Sequence, residues 1–411
     1  MKLWLVSAAT AALLVPAIAC AGEAGGEPPA TALVESVHHN ALVLDSHADV
    51  LIDSTPRRYY LADGTSRVSN ERLKAGDVDA VVLSLAVGPG PRDAAGVAAA
   101  RAEIANKLQT VNTRVASSNG QLVLARSAAD ITRAEQEGKT AVLLSFQNAR
   151  ALGSDIGAID ALYRDGVRVF AFNHAGHNDW ADSSRPSEGE PVAEHGGLSP
   201  VGRAAVPKLN DLGVLIDVSQ LSKDALLQTL TLTRTPVAAT HSAARSVREH
   251  TRSLSDQELD AIKVNGGVVQ VTPFNTYLLK LDEPTKARIR DVRVAHGLSA
   301  EFNAGNDNYS TLNGDTQQAF LDALAQVQPR ATVSDFVDHI DYIARRIGVE
   351  HVGIGTDFDH GAGITGYDSA ADSRAVTAEL LARGYTPEQV TAIWGGNFLR
   401  VLRAAEAGRR A

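Results

Sequence analysis

Apolar residues fall into eight short runs along this chain, at 41–47, 78–87, 140–146, 167–173, 214–219, 237–241, 267–272 and 351–356. Most are built from Val, Ile, Leu and Ala without strict polar alternation. Strands buried on both faces read this way, because neither face meets water. Stretches with helical spacing separate most of them, at 93–118, 201–212, 222–232, 255–264, 332–348 and 387–405. Several follow a Ser, Thr or Asp placed to accept the free N–H groups of a first helical turn. Eight strand–helix units predict an α/β fold, a single-domain (β/α)8 barrel of the TIM type. Its chemistry is then expected at the C-terminal ends of the strands. A doubly wound open sheet is the other arrangement this alternation permits, and it would keep the first and last strands apart.

The polar residues that end these runs favour the barrel. LDSHADV (44–50) closes the first run, and HVGIGTDFDHG (351–361) carries the last one into acids and a histidine. His47 and Asp49 are two positions apart, so on a strand both side chains face the same way. Asp357 arrives from the far end of the chain and meets them only if the last strand returns to the first. The other runs also end in polar groups: Gln147 after the third, Asn173 and His174 after the fourth, with His177, Asp179 and Asp182 beyond. Asp217 and Gln220 end the fifth, His241 the sixth, and Asp359 follows Asp357. Imidazole and carboxylate groups at one height form a metal-ligand set. His47, Asp49 and Asp357, with His174 and His241, are therefore read as a metal site. His177, Asp182, His195 and His360 are read as loop residues, some lining the pocket. His339, inside an amphipathic helix pattern, is read as structural, and Asp217 as bonding nearby backbone. The glycine pairs 266–267 and 395–396 read as turns.

Length allows one large barrel or two domains, but no Pro/Gly/Ser linker and no internal repeat divides the 411 residues. The net charge of −9 without a Lys/Arg cluster excludes nucleic acid as a partner. The N-terminus adds a location. Met1-Lys2, the apolar residues 3–18 and A-I-A-C-A-G make residues 1–20 a secretory signal. Cys20 is the only cysteine. It is either the lipid-modified first residue of a lipoprotein or the neighbour of an ordinary Ala-x-Ala cut. Both readings predict export, to the periplasm or to an outer-membrane anchor. Residues 21–38 then read as a flexible tether and 39–405 as the barrel domain. A polar insert at 275–331 reads as a lid or as the contact of a homodimer.

Six strings give the chain a resemblance: LDSHADV, NHAGHNDWADS, GGLSPVGRAAVPKLNDLGVLIDVSQLS, THSAARSVREHTRSLSD, DHIDYIARRIGVEHVGIGTDFDHG and GGNFLRVL. Over about 40–402 it resembles the membrane (renal) dipeptidases, peptidase family M19, which are amidohydrolase-type metal barrels with two metals. The resemblance implies that His47, Asp49 and Asp357 serve the first ion, Asp357 also handling the proton, and that His241 serves the second. It implies that His174 contacts substrate near the scissile carbonyl and that Arg252 binds the substrate carboxylate. Two positions depart from the family pattern. Gln147 stands where the family has a metal-bridging glutamate, and Gln220 where it has a metal-binding histidine. Neutral amides are poor ligands for zinc. The expectation is an exported zinc dipeptidase with one ion rather than two, acting on short peptides. The alternatives are a catalytically weakened binding or maturation protein, or a one-metal hydrolase of N-acyl amino acids or cyclic amides. A site with no ion at all would have the two glutamines bonding each other across the barrel mouth.

Overall fold

The computed structural model describes residues 30–300, 312 and 314–410. Its strands are β1 (Leu44–Asp49), β2 (Ala80–Ala86), β3 (Leu122–Ala125), β4 (Thr140–Gln147), β5 (Val167–Ala171), β6 (Leu215–Asp217), β7 (Ala238–Ser242), β8 (Val268–Val271) and β9 (Val352–Ile354). Neighbours run in the order β1-β2-β4-β5-β6-β7-β8-β9, and every ladder is parallel. These eight strands are the eight apolar runs. The sheet closes just past β9. The Asp357 amide donates to the His47 carbonyl at 2.7 Å and the Asp49 amide to the Phe358 carbonyl at 2.9 Å. That seam makes the sheet a (β/α)8 barrel and excludes the open sheet.

One strand was not legible in the sequence. β3 pairs with Thr140–Leu143 of β4, and β5 takes the ladder from Leu144 onward. Four residues, two of them partly exposed, are too few to carry a periodic signal. Helix 94–116 starts where Asp93 accepts the Gly96 amide, and helix 200–212 where Ser199 accepts the Gly202 amide. Capping boxes at Ser255/Glu258 and Thr332/Asp335 start the helices that follow β7 and β8. His339 lies buried in helix 333–347 and accepts the Ala244 amide, the structural role expected of it.

Small and branched residues of the strands, among them Leu44, Val82, Leu143, Val169 and Val268, form one buried cluster with Phe398 and Leu402 of the last helix. Gly266 is the left-handed cap of helix 256–265, a turn as expected. Gly395 and Gly396 are not a turn. They lie in a π-helical segment, Ala392–Gly396, inside the C-terminal helix. A Cβ on Gly395 would come 2.4 Å from the Leu42 carbonyl oxygen, so glycine there permits close packing against the approach to β1. The expected tether over 21–38 also needs correction. Thr31–Asn40 is a helix, and its buried His38 bonds Thr377 Oγ1 at 2.7 Å and the Gly76 carbonyl at 2.8 Å. The signal segment 1–20, Cys20 and the rest of the tether to residue 29 lie outside the described residues. Within the insert, helices Glu283–Ala295 and Gly314–Val327 stand over the barrel mouth, and most of the Asn/Asp/Gly-rich stretch between them is likewise outside.

Candidate metal centre

The seam builds the site. Asp357 and Asp359 adopt left-handed backbone, φ 55° and 65°, on either side of Phe358. Non-glycine residues hold this conformation only where the surroundings enforce it. Here Asp357 is fixed by its amide bond to the His47 carbonyl, and Asp359 accepts the Arg67 amide at 2.8 Å. The Asp357 carboxylate thereby reaches β1. His47 Nε2 stands 3.7 Å from Asp49 Oδ1 and 4.0 Å from Asp357 Oδ1. These gaps are too long for hydrogen bonds. They suit atoms that each lie ~2 Å from one shared ion. His47 Nε2 and Asp49 Oδ1 are buried without a hydrogen-bond partner. Buried polar atoms are rarely left so, and the three residues fit a divalent ion. Burial pushes the Asp357 carboxyl up, whereas Asp49, despite burial, is held well below the usual range by His360 and His47.

Hydrogen-bond logic fixes the tautomers. Asp217 accepts the Ser219 amide at 2.9 Å, the Thr240 amide at 3.1 Å and the Thr240 hydroxyl at 2.6 Å. The Thr240 proton is thus committed, and its oxygen can only accept from the imidazoles beside it. His241 Nδ1 lies 2.9 Å from Thr240 Oγ1 and His47 Nδ1 3.3 Å. Both rings therefore carry their proton on Nδ1 and present an Nε2 lone pair to the mouth. Asp217, with His47 and His241, also forms a geometric ligand cluster. Its oxygens are already taken by Thr240 and Ser219, so it bonds backbone and hydroxyls as expected from the sequence.

The two lone pairs differ in what they meet. That of His47 is bare. His241 Nε2 has Gln220 Nε2 at 3.1 Å and Gln147 Nε2 at 3.3 Å. The glutamines do not bond each other; each donates to His241. An ion here would have to displace two buried amide donors, each costing about 1–3 kcal/mol when unpaired. No carboxylate would compensate. The residues present do not fit a second ion. Burial first, with the neighbouring Arg252 charge, keeps the His241 ring neutral.

His174 sits on the same rim, almost fully buried, with Nδ1 free of any partner. Burial and the charges of His360 and Arg185 hold it neutral. Arg252 is also buried. It donates from Nη2 to the His241 carbonyl at 3.0 Å and from Nη1 to the Ser219 carbonyl, and no carboxylate within 4 Å pairs with it among the described residues. Asn173 bonds the Gly176 and Ala181 carbonyls, and Asp182 accepts the amides of Glu194, His195 and Gly197, so both shape the loop. His177 and His195 bond the carbonyls of Pro191 and Asn178. The residue that sequence reasoning underrated is His360. Its Nδ1 donates to Asp49 Oδ2 at 2.7 Å, leaving Oδ1 free to face His47. Its ring stacks on Tyr59 at 5.0 Å and meets His174 edge-on at 4.8 Å. Burial opposes its charge, yet Asp49, Tyr59 and Asp357 hold its pKa up at about 9. Above these groups opens a cleft of 1440 Å3 between the loop after β1, the loop after β5 and the insert helices.

A parallel (β/α)8 barrel with a His/Asp ligand set at its C-terminal mouth defines a metal-site barrel of the hydrolase type. The comparisons narrow this. The sequence profile of the membrane dipeptidases (peptidase family M19) matches residues 31–411. The crystal structure of the probable dipeptidase PvdM from Pseudomonas aeruginosa superposes with a TM-score of 0.82 at 34% identity, over 92% of this chain and 98% of that one. A metallopeptidase from Rhodobacter sphaeroides, solved with a phosphinate mimic of L-Ala-D-Ala, shares the fold at a TM-score of 0.70 and 20% identity, over 89% and 99% of the two chains. Dipeptidase tcpJ of Claviceps purpurea (strain 20.1) is 28% identical over 70% of this chain, which spans only 56% of that protein's length. The chain belongs to the membrane dipeptidase family, peptidase family M19.

Proposed function

We propose that this protein is an exported metal-dependent dipeptidase that works with one ion, zinc by the character of its ligands. One observation carries the reading: His47 Nε2, Asp49 Oδ1 and Asp357 Oδ1 converge in a buried pocket with two of the three atoms unpartnered. These residues would hold the ion, which when bound supplies a positive charge that polarises a carbonyl and acidifies water. Asp357, whose proton affinity is raised by burial, takes the proton of the attacking water and passes it to the leaving amine. His174, neutral and poised at the rim, donates to the carbonyl oxygen as charge builds there. Arg252, a buried cation bonded to two carbonyls and paired with no acid among the described residues, binds the substrate's terminal carboxylate. That short reach from carboxylate to scissile bond favours dipeptides. The signal-like residues 1–20 support export, with Cys20 as the attachment point of a lipid anchor if it becomes the first residue.

The test is elemental analysis of the purified protein together with hydrolysis of a dipeptide panel. One ion per chain and turnover are expected. One ion with turnover only on N-acyl amino acids or cyclic amides would change the substrate class. No ion and no turnover would favour the weakened binding protein, which the amide-capped His241 makes the second reading.

A further inference from the structure

Eight arginines illustrate how a guanidinium is usually satisfied where an acid is near. Arg72, Arg92, Arg133, Arg234, Arg330, Arg346, Arg374 and Arg383 all form ion pairs within 4 Å. The cleft is different. Arg185 lines it, half-buried, in the loop after β5. Among the described residues only its backbone is hydrogen-bonded, its amide to Ser183 Oγ at 3.1 Å and its carbonyl to the Gly176 amide at 2.8 Å. Its guanidinium meets no carboxylate among the described residues. The nearby acid Glu190 is already engaged by the amides of His177 and Ser187 and lies 3.5 Å from Arg92. Arg57, which also lines the cleft, bonds the Ala62 carbonyl and has no acid partner among the described residues.

What sets Arg185 apart is its place: a half-buried guanidinium that lines the cleft beside the site with no acid paired to it among the described residues. It also lies close enough to the buried Arg252 cation for the two charges to oppose each other, and its charge helps keep His174 and His250 neutral. An unpaired cation placed near a second cation in a partly desolvated cleft is stabilised when an anion arrives. Arg252 already answers to one carboxylate in the reading above. A planar fork on the rim matches a second one.

We propose that Arg185 forms an anion subsite at the rim and selects short peptides that carry a second carboxylate on a side chain, so that Asp- or Glu-containing dipeptides are the preferred substrates. The proposal rests on the dipeptidase reading and adds its substrate class. The test uses the metal-loaded full chain and two measurements. One is calorimetric binding of phosphinate dipeptide analogues, one with an alanine side chain and one with a glutamate side chain. The other is kcat/KM for Ala-Ala, Ala-Glu and Glu-Ala. The acidic analogue should bind at least tenfold tighter, and one acidic dipeptide should exceed Ala-Ala in kcat/KM by a similar factor. R185Q should lower the acidic-to-neutral ratio at least tenfold, R185E should invert it, and R185K should restore part of it. Equal handling of acidic and neutral compounds, or a ratio unmoved in R185Q, overturns the anion subsite and leaves the dipeptidase reading standing. Failure of every analogue to bind and of every dipeptide to turn over overturns both.

Discussion

His47 and His241 stack 3.8 Å apart at the barrel mouth and lean on the same threonine hydroxyl. They present the same nitrogen, in the same tautomer, to the same cavity. One faces two carboxylate oxygens and stays bare; the other faces two amide nitrogens and is capped. Fold and tautomer therefore do not distinguish the two rings. The charge of the neighbouring side chains does. Each side of the stack can be pushed toward the other.

The largest change should follow from Asp357→Asn. An amide carries no charge to the ion and cannot take up the proton. Steady-state assays should show hydrolysis reduced by about 10³-fold or more, as for loss of an acid–base group together with a ligand. Thermal melts should move little, because burial already opposes the ionised form. Near-normal turnover would remove Asp357 from its role.

Converting the capped side is the second push. In the double variant Gln147→Glu, Gln220→His, a carboxylate and an imidazole replace the two amide donors beside His241. Bound metal, read by elemental analysis, should rise from one toward two ions per chain, with either single change doing less. Two tight ions in the unaltered protein would refute the contrast between the rings.

A smaller effect is expected from the bare side's support. His360→Ala frees Asp49 Oδ2 and should weaken binding of the metal alone about 10–100-fold by calorimetry, in line with other second-sphere contacts. His360→Asn keeps a donor near the Nδ1 position and should recover part of the loss. Equal affinities in all three proteins would make His360 a mere wall of the cleft.

The smallest prediction is a control remote from the stack. Asp79, just before β2, accepts the Val43 amide at 2.8 Å, yet burial first, with repulsion from Asp77 and Glu135, raises its pKa to about 7. The folded state then holds a proton that the unfolded chain has lost between about pH 4 and pH 7. Stability contributed here is present at low pH and falls as pH rises through that window. Asp79→Asn should flatten the slope in pH-dependent melts and add about 1 kcal/mol at pH 7. An unchanged slope would assign the pH response to other groups.

Much of this was legible in the chain because its signals were local. Strands buried on both faces read as plain apolar runs, and His47 and Asp49 share a strand face by spacing alone. Capped helices announce their starts. What was not legible depends on contacts between distant elements. β3 is a four-residue strand created by a free stretch of β4's edge. Thr240 looks like any β-branched strand residue until Asp217 takes its proton. His360 reads as a loop residue because only two left-handed positions, at Asp357 and Asp359, turn it back onto Asp49. The Gly395–Gly396 pair misled for the same reason: composition suggested a turn, and packing against Leu42 required a helix without a side chain.

The seam has one more consequence. The bonds that close the barrel, between His47 and Asp357 and between Asp49 and Phe358, lie against the ligand atoms themselves. An ion gripped there would cross-link the two ends of the chain, joining residues 310 positions apart (357 − 47 = 310). It would act as a removable staple on a very long loop, much as a disulfide does in chains that have cysteines to spare. Backbone amides at Asp49 and Asp357 should then be among the slowest to exchange with heavy water in the loaded protein and should quicken most when a chelator is added. Loss of metal would be recorded at these two amides as loosening of the whole cylinder.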